Sequence, residues 1–227
     1  MSKPISILIP IYNGVEYLDQ SLSSVIRQSY KNWEVIIGIN GVSPDSIVKE
    51  KAIETVKSLN KDNKYDIRVI YYETKGKSAT LNKMAGDAKY SHIALLDVDD
   101  IWIDVKLEKQ SKYLDIYDVV GTGCRYFGDC DHYPNLPYGD LRYFNFLQFN
   151  PIINSSAIIK KEFSYWNEEE LRGLEDYDLW LRLFSENKKF FNVDECLVLH
   201  RIHKYSSFNN SNHLHVEELK NRWSKIL

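Results

Sequence analysis

Only three cysteines, Cys124, Cys130 and Cys196, occur in 227 residues, and none belongs to a CxxC pair. That scarcity excludes a disulfide framework and a cysteine-paired zinc site, and buried thiols are the expectation. Apolar runs are short as well. The longest, Ile5 to Tyr12, is eight residues with Pro10 inside it, whereas a bilayer needs roughly 20, so no transmembrane segment is expected. The start, Met-Ser-Lys-Pro, has no secretory-signal core or cleavage site, so the expected location is cytoplasmic. Positive charge is not in excess: 29 Lys and Arg face 32 Asp and Glu, a net charge of −3, and a nucleic-acid partner is not expected. The motifs GxxxxGK[ST], GxGxxG and GxSxG are absent, which argues against P-loop NTPases, dinucleotide dehydrogenases and α/β-hydrolases. Asn154-Ser155-Ser156 and Asn209-Asn210-Ser211 match the glycan-acceptor triplet, which is common by chance and carries no weight in a cytosolic chain.

What is present suits one packed domain. The chain is 44% hydrophobic and 13% aromatic, ample for a core, and its length favours a single α/β unit. Strands are predicted at Ile5–Pro10, Glu34–Ile39, Ile67–Tyr72 and His92–Leu96. Between them lie helical patterns: an apolar face from Val15 to Ile26, a charged helix capped by Asp45 and ending near Leu59, and Ser78 to Lys89. Near-continuous apolar strands alternating with helices imply a Rossmann-like, mostly parallel central sheet flanked by helices. Ligands of such sheets bind beyond the carboxyl ends of the strands, where Tyr12-Asn13-Gly14, Asn40-Gly41 and an acidic cluster fall. The second half is less regular. A helix is expected from Ile103 to about Tyr117, strands at Val119–Phe127 and Ser155–Ile159, a helix at Asp176–Ser185, an extended run from Phe191 to Arg201, and a last helix from Val216 to Trp223.

Three carboxylates within four residues, Asp97, Asp99 and Asp100, are the sharpest local signal. If strand geometry persists, 97 and 99 face the same way and suit one hard cation, Mg2+ or Mn2+, held against a diphosphate. The alternative is a solvated helix N-terminus, where acids are favourable without metal. Glu175, Asp176 and Asp178 open an amphipathic segment. They read either as first-turn acids or as the place of a general base in a partly apolar pocket, a task that suits Asp176. His203 is either a structural histidine or a metal ligand, and Arg201 either a diphosphate clamp or part of a charged tail. Lys75-Gly76-Lys77-Ser78, ahead of a helix, is a weak phosphate-cradle pattern.

Taken in order, these segments resemble the family 2 glycosyltransferases, inverting enzymes of GT-A fold, over roughly residues 4 to 207. The resemblance rests on Ile7-Leu8-Ile9-Pro10-Ile11-Tyr12-Asn13, Leu22-Ser23-Ser24-Val25 with Gln28-Ser29-Tyr30, Leu95-Leu96-Asp97-Val98-Asp99-Asp100 and Glu175-Asp176-Tyr177-Asp178-Leu179-Trp180-Leu181-Arg182. It implies that the Pro10 to Asn13 segment and Asn40 hold the nucleotide base, with Tyr12 stacking. It places Asp97 near the ribose and Asp99 on the metal, so that both belong to the metal motif, and assigns Glu175 and Asp176 to the catalytic pair with Asp176 as general base. Arg201-Ile202-His203 with Ser206-Ser207 resembles the family's late Arg-x-His segment, making His203 a diphosphate or metal contact. Helix three carries Leu81-Asn82 where an arginine commonly precedes the asparagine, so Lys75 or Lys77 supplies the cation. Ile39-Asn40 stands where members usually carry aspartates, a departure that counts against uridine in particular; a UDP-sugar is favoured overall and other nucleotides stay open.

The expected activity is transfer of a sugar from a nucleotide-diphosphate-sugar to an acceptor hydroxyl, aided by Mn2+ or Mg2+, in glycan or polysaccharide synthesis. The nucleotide-sugar half would run to about 118, the acceptor half from 119 to 207 and a tail from 208 to 227. A glycan or glycoconjugate is the expected acceptor, met by the stretch from Asp129 to Asn154, and assembly of identical chains stays open. Two other readings compete: a sugar-phosphate nucleotidyltransferase, whose glycine-rich signature is missing, and a catalytically degenerate binding module of the same fold.

Overall fold

The computed structural model describes residues 3–43, 45–169, 171, 173–204 and 213–227. Strands β1 (Ile5–Ile11), β2 (Trp33–Asn40), β3 (Ile67–Tyr72) and β4 (His92–Leu95) alternate with helices α1 (Leu18–Ile26), α2 (Ile47–Leu59) and α3 (Lys77–Asp87). The chain continues through β5 (Ile101–Trp102), α4 (Lys106–Ser111), β6 (Val119–Gly128), β7 (Gly139–Asp140), β8 (Ile158–Lys160), α5 (Glu175–Ser185), β9 (Phe190–Ile202) and α6 (His213–Trp223). Among the described residues the strands form one sheet in the order β3-β2-β1-β4-β8-β6-β9-β5, with β7 beside β9. β1 is parallel to β2 and β4, β2 to β3, and β6 to β9. β8 is antiparallel to both its neighbours, which leaves β6 running with β4; β5 and β7 oppose β9. The mostly parallel sheet expected from the alternation is therefore present, and the carboxyl ends of β1, β2, β3, β4, β6 and β9 open on one edge.

Successive strand residues enter two different cores. Ile5, Ile7 and Ile9 pack on the side of α1, α2 and α4, with Leu22, Ala52 and Leu107. Leu8, Ile36 and Leu95 pack on the opposite side with Leu81 and Met84 of α3 and Trp180 of α5. Both faces are covered, so apolar residues fill consecutive positions rather than alternate ones. Each fully buried aliphatic side chain contributes about 2 kcal/mol.

Several expectations change. The 103–117 periodicity predicts one helix, but the chain first forms β5 and then helix only over Lys106–Ser111. Side chains of α1 and its C-terminal turn hold that backbone in place: Ser24 Oγ accepts the Trp102 N–H at 3.1 Å, while Gln28 donates to the Ile103 carbonyl at 2.8 Å and accepts the Leu107 N–H at 3.0 Å. Of the predicted strand at Ser155–Ile159, the first part is a 3-10 turn (Asn154–Ser156) and only Ile158–Lys160 pairs. Asp45 does not cap α2; Ser46 occupies the N-cap position. Of the three thiols only Cys124 is buried, whereas Cys130 is exposed and Cys196 half-buried. Ser206-Ser207 and Asn209-Asn210-Ser211 lie outside the described residues. Among the described residues no helix is long and apolar enough to cross a membrane.

α6 begins three residues earlier than its apolar spacing predicts and braces α5. Leu219 is buried in the α5-side core, and Trp223 Nε1 donates to Asp178 Oδ1 at 2.8 Å, a carboxylate only 4% exposed. Trp223→Phe keeps the ring but removes the donor. It is expected to destabilise the fold by about 2 kcal/mol, the order of cost of an unsatisfied buried polar group, read as a lower urea midpoint at unchanged slope.

Candidate active site

The acidic cluster sits just past β4. Leu96 N–H still donates to the Leu8 carbonyl at 3.0 Å, after which Asp97 to Asp100 close a turn, with Asp100 N–H donating to the Asp97 carbonyl at 3.1 Å. Strand geometry does not persist through the turn, and the three crowded carboxylates take different hydrogen-bond partners. Asp97 Oδ1 accepts from Lys77 Nζ at 2.7 Å, and its Oδ2 from Asn154 Nδ2 at 3.0 Å and Ser155 Oγ at 3.4 Å. Ser155 Oγ also accepts the Asp97 N–H at 3.0 Å. Asp99 Oδ2 lies 3.0 Å from His203 Nε2. Asp100 is wholly buried, not at a helix start: Oδ2 is 2.9 Å from His200 Nδ1 and Oδ1 accepts the Arg201 N–H at 2.8 Å.

Charge balance follows from these pairings. Burial opposes ionisation of Asp97, but Lys77 and its hydrogen bond hold the carboxyl below the usual carboxylate range. Burial likewise works against the Lys77 ammonium, yet Asp97, Glu175 and Asp176 together raise it above the ordinary lysine value. Burial would lower His200, but Asp100 beside it pushes the imidazole up to about 9, so it is an imidazolium at neutral pH. Asp99 is the group left short of positive charge. Burial, Asp100 and Asp97 push its carboxyl up, and the His203 bond only partly offsets them.

Arg201 is clamped rather than loose in a tail. Its Nε donates to the Asp99 carbonyl at 2.9 Å and one terminal nitrogen to Gln20 Oε1 at 2.7 Å. The guanidinium carbon lies 4.6 Å from the Tyr17 ring centroid and 4.3 Å from that of Phe127.

The residues expected to hold the nucleoside lie at and just beyond the β1 and β2 termini. Pro10 falls beyond Leu8, the last β1 residue paired with β4. Tyr12 is 61% exposed, and its ring lies so close over Gly41 that a Cβ there would approach it to 2.5 Å. Gly41 has φ +70°, so its left-handed turn and its missing side chain both serve this approach. Asn13 is exposed in the turn after β1, and Lys75 is exposed after β3. Asn40 is almost fully buried and its amide donates to the Gly76 carbonyl at 3.4 Å, linking the end of β2 to the start of α3. Asn82 is used differently. It donates to the Trp166 carbonyl and to Glu168, each at 2.9 Å, and accepts the Trp166 N–H at 2.8 Å, so it clamps the segment leading to α5.

Glu175 and Asp176 form the first turn of α5. Asp176 Oδ1 accepts the Tyr177 N–H at 2.8 Å and Oδ2 accepts from Asn150 Nδ2 at 3.2 Å. Burial, and then the Glu175 charge, push the Asp176 carboxyl up to about 6 against the pull of Lys77. That value suits a base working near neutrality.

Among the described residues no three His, Cys, Asp or Glu side chains converge as a closed metal cage. Asp99 with His203 nevertheless fits a hard divalent cation. Mg2+ and Mn2+ sites commonly take one or two protein ligands and complete their shell with phosphate oxygens and water. Both Asp97 oxygens already accept protein donors, so Asp97 is less suited to that shell than Asp99. Sequence reasoning missed Asn150, Asn154, Ser155, Tyr17 and Gln20. The polar run Asn154-Ser155-Ser156 directly ahead of an apolar strand was the available signal.

The model of Glycosyl transferase family 2 matches residues 6–165. This chain belongs to that family. The O-antigen biosynthesis glycosyltransferase WbnJ of Escherichia coli is 31% identical to this glycosyltransferase over 218 residues, 89% of this chain and 81% of WbnJ. A second Escherichia coli relative, the UDP-Glc:alpha-D-GlcNAc-diphosphoundecaprenol beta-1,3-glucosyltransferase WfaP, is 26% identical over 208 residues, 88% of this chain and 77% of its own. The fold matches the GT-A structure of Staphylococcus aureus TarS in complex with UDP-GlcNAc, with a TM-score of 0.75 at 17% identity. It also matches the mannosyltransferase PcManGT of Pyrobaculum calidifontis in complex with GDP-Man and Mn2+, with a TM-score of 0.69 at 11% identity. The matches cover 97% and 92% of this chain but 66% and 60% of those two.

Proposed function

We propose that this family 2 glycosyltransferase moves a sugar, from a UDP-sugar by preference, to a hydroxyl of a glycan or glycoconjugate with inversion and in a single displacement. The observation that carries the reading is Asp176: a half-buried carboxylate at the crevice, raised to about 6 and held by an amide rather than neutralised by a cation. Asp176 takes the acceptor O–H proton as the acceptor oxygen bonds to the sugar's anomeric carbon. The bond from that carbon to the diphosphate breaks, and the nucleoside diphosphate leaves with the electron pair. Attack from the face opposite the leaving group inverts the centre.

The other residues take their roles from position. Tyr12 stacks on the base, with Pro10, Asn13 and Asn40 around it, and Asp97 with Asn154 and Ser155 meets the ribose. Asp99 and His203 would hold Mn2+ or Mg2+, which supplies charge stabilisation to the departing diphosphate. Lys77 lies between the Asp97 and Glu175–Asp176 groups, and with Lys75 and Arg201 it adds fixed positive charge toward that end. The donor is met by residues up to about 118 and the acceptor by residues 119–207, except that Asn154, Ser155 and His203 reach back to the donor side. Tyr133, Tyr138 and Tyr143 are exposed on the acceptor side, while Phe146 is core. The names of WfaP and of the PcManGT complex support a nucleotide-sugar donor with a metal, in the synthesis of a glycan or glycoconjugate.

The test is a thermal-shift panel of UDP, GDP, CDP and dTDP and their glucose, N-acetylglucosamine and mannose conjugates, with Mn2+, Mg2+ or EDTA. One nucleotide is expected to raise the midpoint only with metal, and its conjugate to be hydrolysed slowly. No shift with any of them overturns the reading in favour of a degenerate binding module.

A further inference from the structure

We infer that Asn150 is the positioning residue of the base: its amide holds the Asp176 carboxylate in the crevice without neutralising it. The inference rests on the reading of Asp176 given above.

The side-chain amide has a fixed orientation. Asn150 Oδ1 accepts the Ile152 N–H at 3.2 Å, closing a turn across Pro151, so Nδ2 is the atom left to face Asp176 Oδ2, 3.2 Å away. The turn itself is anchored. Asn192 of β9, wholly buried, donates to the Pro151 carbonyl at 2.9 Å and to the Pro137 carbonyl at 2.8 Å, and Ile152 is wholly buried in the α5-side core. Asn150 is thus a short arm on a rigid mount.

The charged groups acting on Asp176 are Glu175 on its own helix, Lys77 from α3 and Asp97 from the end of β4. Glu175 and Asp97 repel the carboxylate, while Lys77 attracts it and is already bonded to Asp97. Without the Asn150 amide only the Tyr177 N–H at Oδ1 restrains the carboxylate, so Oδ2 would swing toward the ammonium, and an ion-paired carboxylate is a poorer base. An amide donor opposes that swing and adds no charge. It also leaves a lone pair on Oδ2 for the acceptor proton. Asn150 touches neither donor nor acceptor in this scheme and acts through Asp176 alone.

Two variants test it. Asn150→Asp keeps an oxygen for the Ile152 N–H, and so the turn, but removes the donor; Asn150→Ala removes both. The readouts are UDP-glucose hydrolysis with Mn2+ across pH, and the Asp176 carboxyl titration by 13C NMR, assigned by its absence in Asp176→Asn. Both variants are expected to lower kcat about 10- to 100-fold with KM for UDP-glucose within about 2-fold. The two differ in sign: Asn150→Ala frees the carboxylate to pair with Lys77 and moves the acid limb and the carboxyl titration to lower pH, whereas Asn150→Asp adds a like charge and moves them to higher pH. Wild-type kcat and an unmoved titration in Asn150→Asp, with losses confined to Asn150→Ala and matched by a lower melting midpoint, overturn the inference in favour of a structural turn. The NMR titration decides the positioning without turnover. Full hydrolysis by Asp176→Asn would instead overturn the proposed base while leaving the titration result standing.

Discussion

Asp176→Asn is expected to abolish transfer, by at least about 10³-fold, and at the same time to stabilise the fold at neutral pH. The sign follows from the raised carboxyl. Asp176 sits at about 6 in the folded protein against an ordinary 3.8, so between those values the folded state holds a proton that the unfolded chain releases. Stability therefore falls as pH rises from about 4 to about 6, and above that the ionised group costs the fold up to about 3 kcal/mol. Asparagine carries no charge and keeps the shape. Each kcal/mol is worth roughly 2–4 °C in a chain of this size, so calorimetry at pH 7 should show a variant melting several degrees higher. At pH 4 the two proteins should melt together. Wild-type kcat/KM should rise through about pH 6 as the base ionises, and equal turnover by the variant would remove Asp176 from the mechanism.

Asp99→Ala is expected to break donor binding instead of the chemical step. Asp99 is the cluster member whose neighbours supply repulsion in excess of attraction, and Asp99 and His203 are the groups suited to a hard cation. Removing it should weaken UDP binding in Mn2+ at least about 100-fold, to the level wild type shows in EDTA, measured by titration calorimetry. Metal should then make no difference to the variant. The empty protein should melt no lower than wild type, because one of three crowded carboxylates is gone. Undiminished affinity in Mn2+ would move the cation elsewhere.

These two expectations draw on residues whose types stand out in the sequence, and much of the fold is equally legible. β3 has the bounds its apolar run predicts, and β1, β2 and β4 differ by a residue or two, because strands covered on both faces leave continuous apolar stretches. α4 was not legible. Leu107, Leu114 and Tyr117 do face the core with helical spacing, yet much of the segment is turn, because Ser24 and Gln28 hold its first residues from α1 and the turn that follows it. Those contacts join positions more than 70 residues apart, which no local pattern records.

The site divides the same way. Asp97, Asp99 and Asp176 are legible as types because clustered carboxylates are costly without a reason. Their pairings are not: strand geometry predicts that 97 and 99 face together, but the turn at Asp97 to Asp100 pairs one with Lys77 and the other with His203. Asn150 was invisible because single amides are common in loops and gain meaning only from what lies opposite, and the polar run that holds Asn154 and Ser155 was a faint signal for the same reason. Asn82 is a different case. The resemblance sets it among the donor-binding residues, and in the structure its amide also fastens the approach to α5.

The place of β8 in the sheet bears on how the chain is made. β1 to β4 can pair in parallel as soon as they leave the ribosome, but Ile93 and Ala94 on the far edge of β4 meet their partners only when Ile159 and Ile158 have been synthesised. Until then that edge presents a bare row of amides and carbonyls beside an apolar surface, the template on which one nascent chain adds to another. β9 arrives later still, and with it the closing of the long-range pairs that make such sheets slow to form. The interval between β4 and β8 is therefore when the growing chain is most exposed to self-association, before its catalytic groups have met.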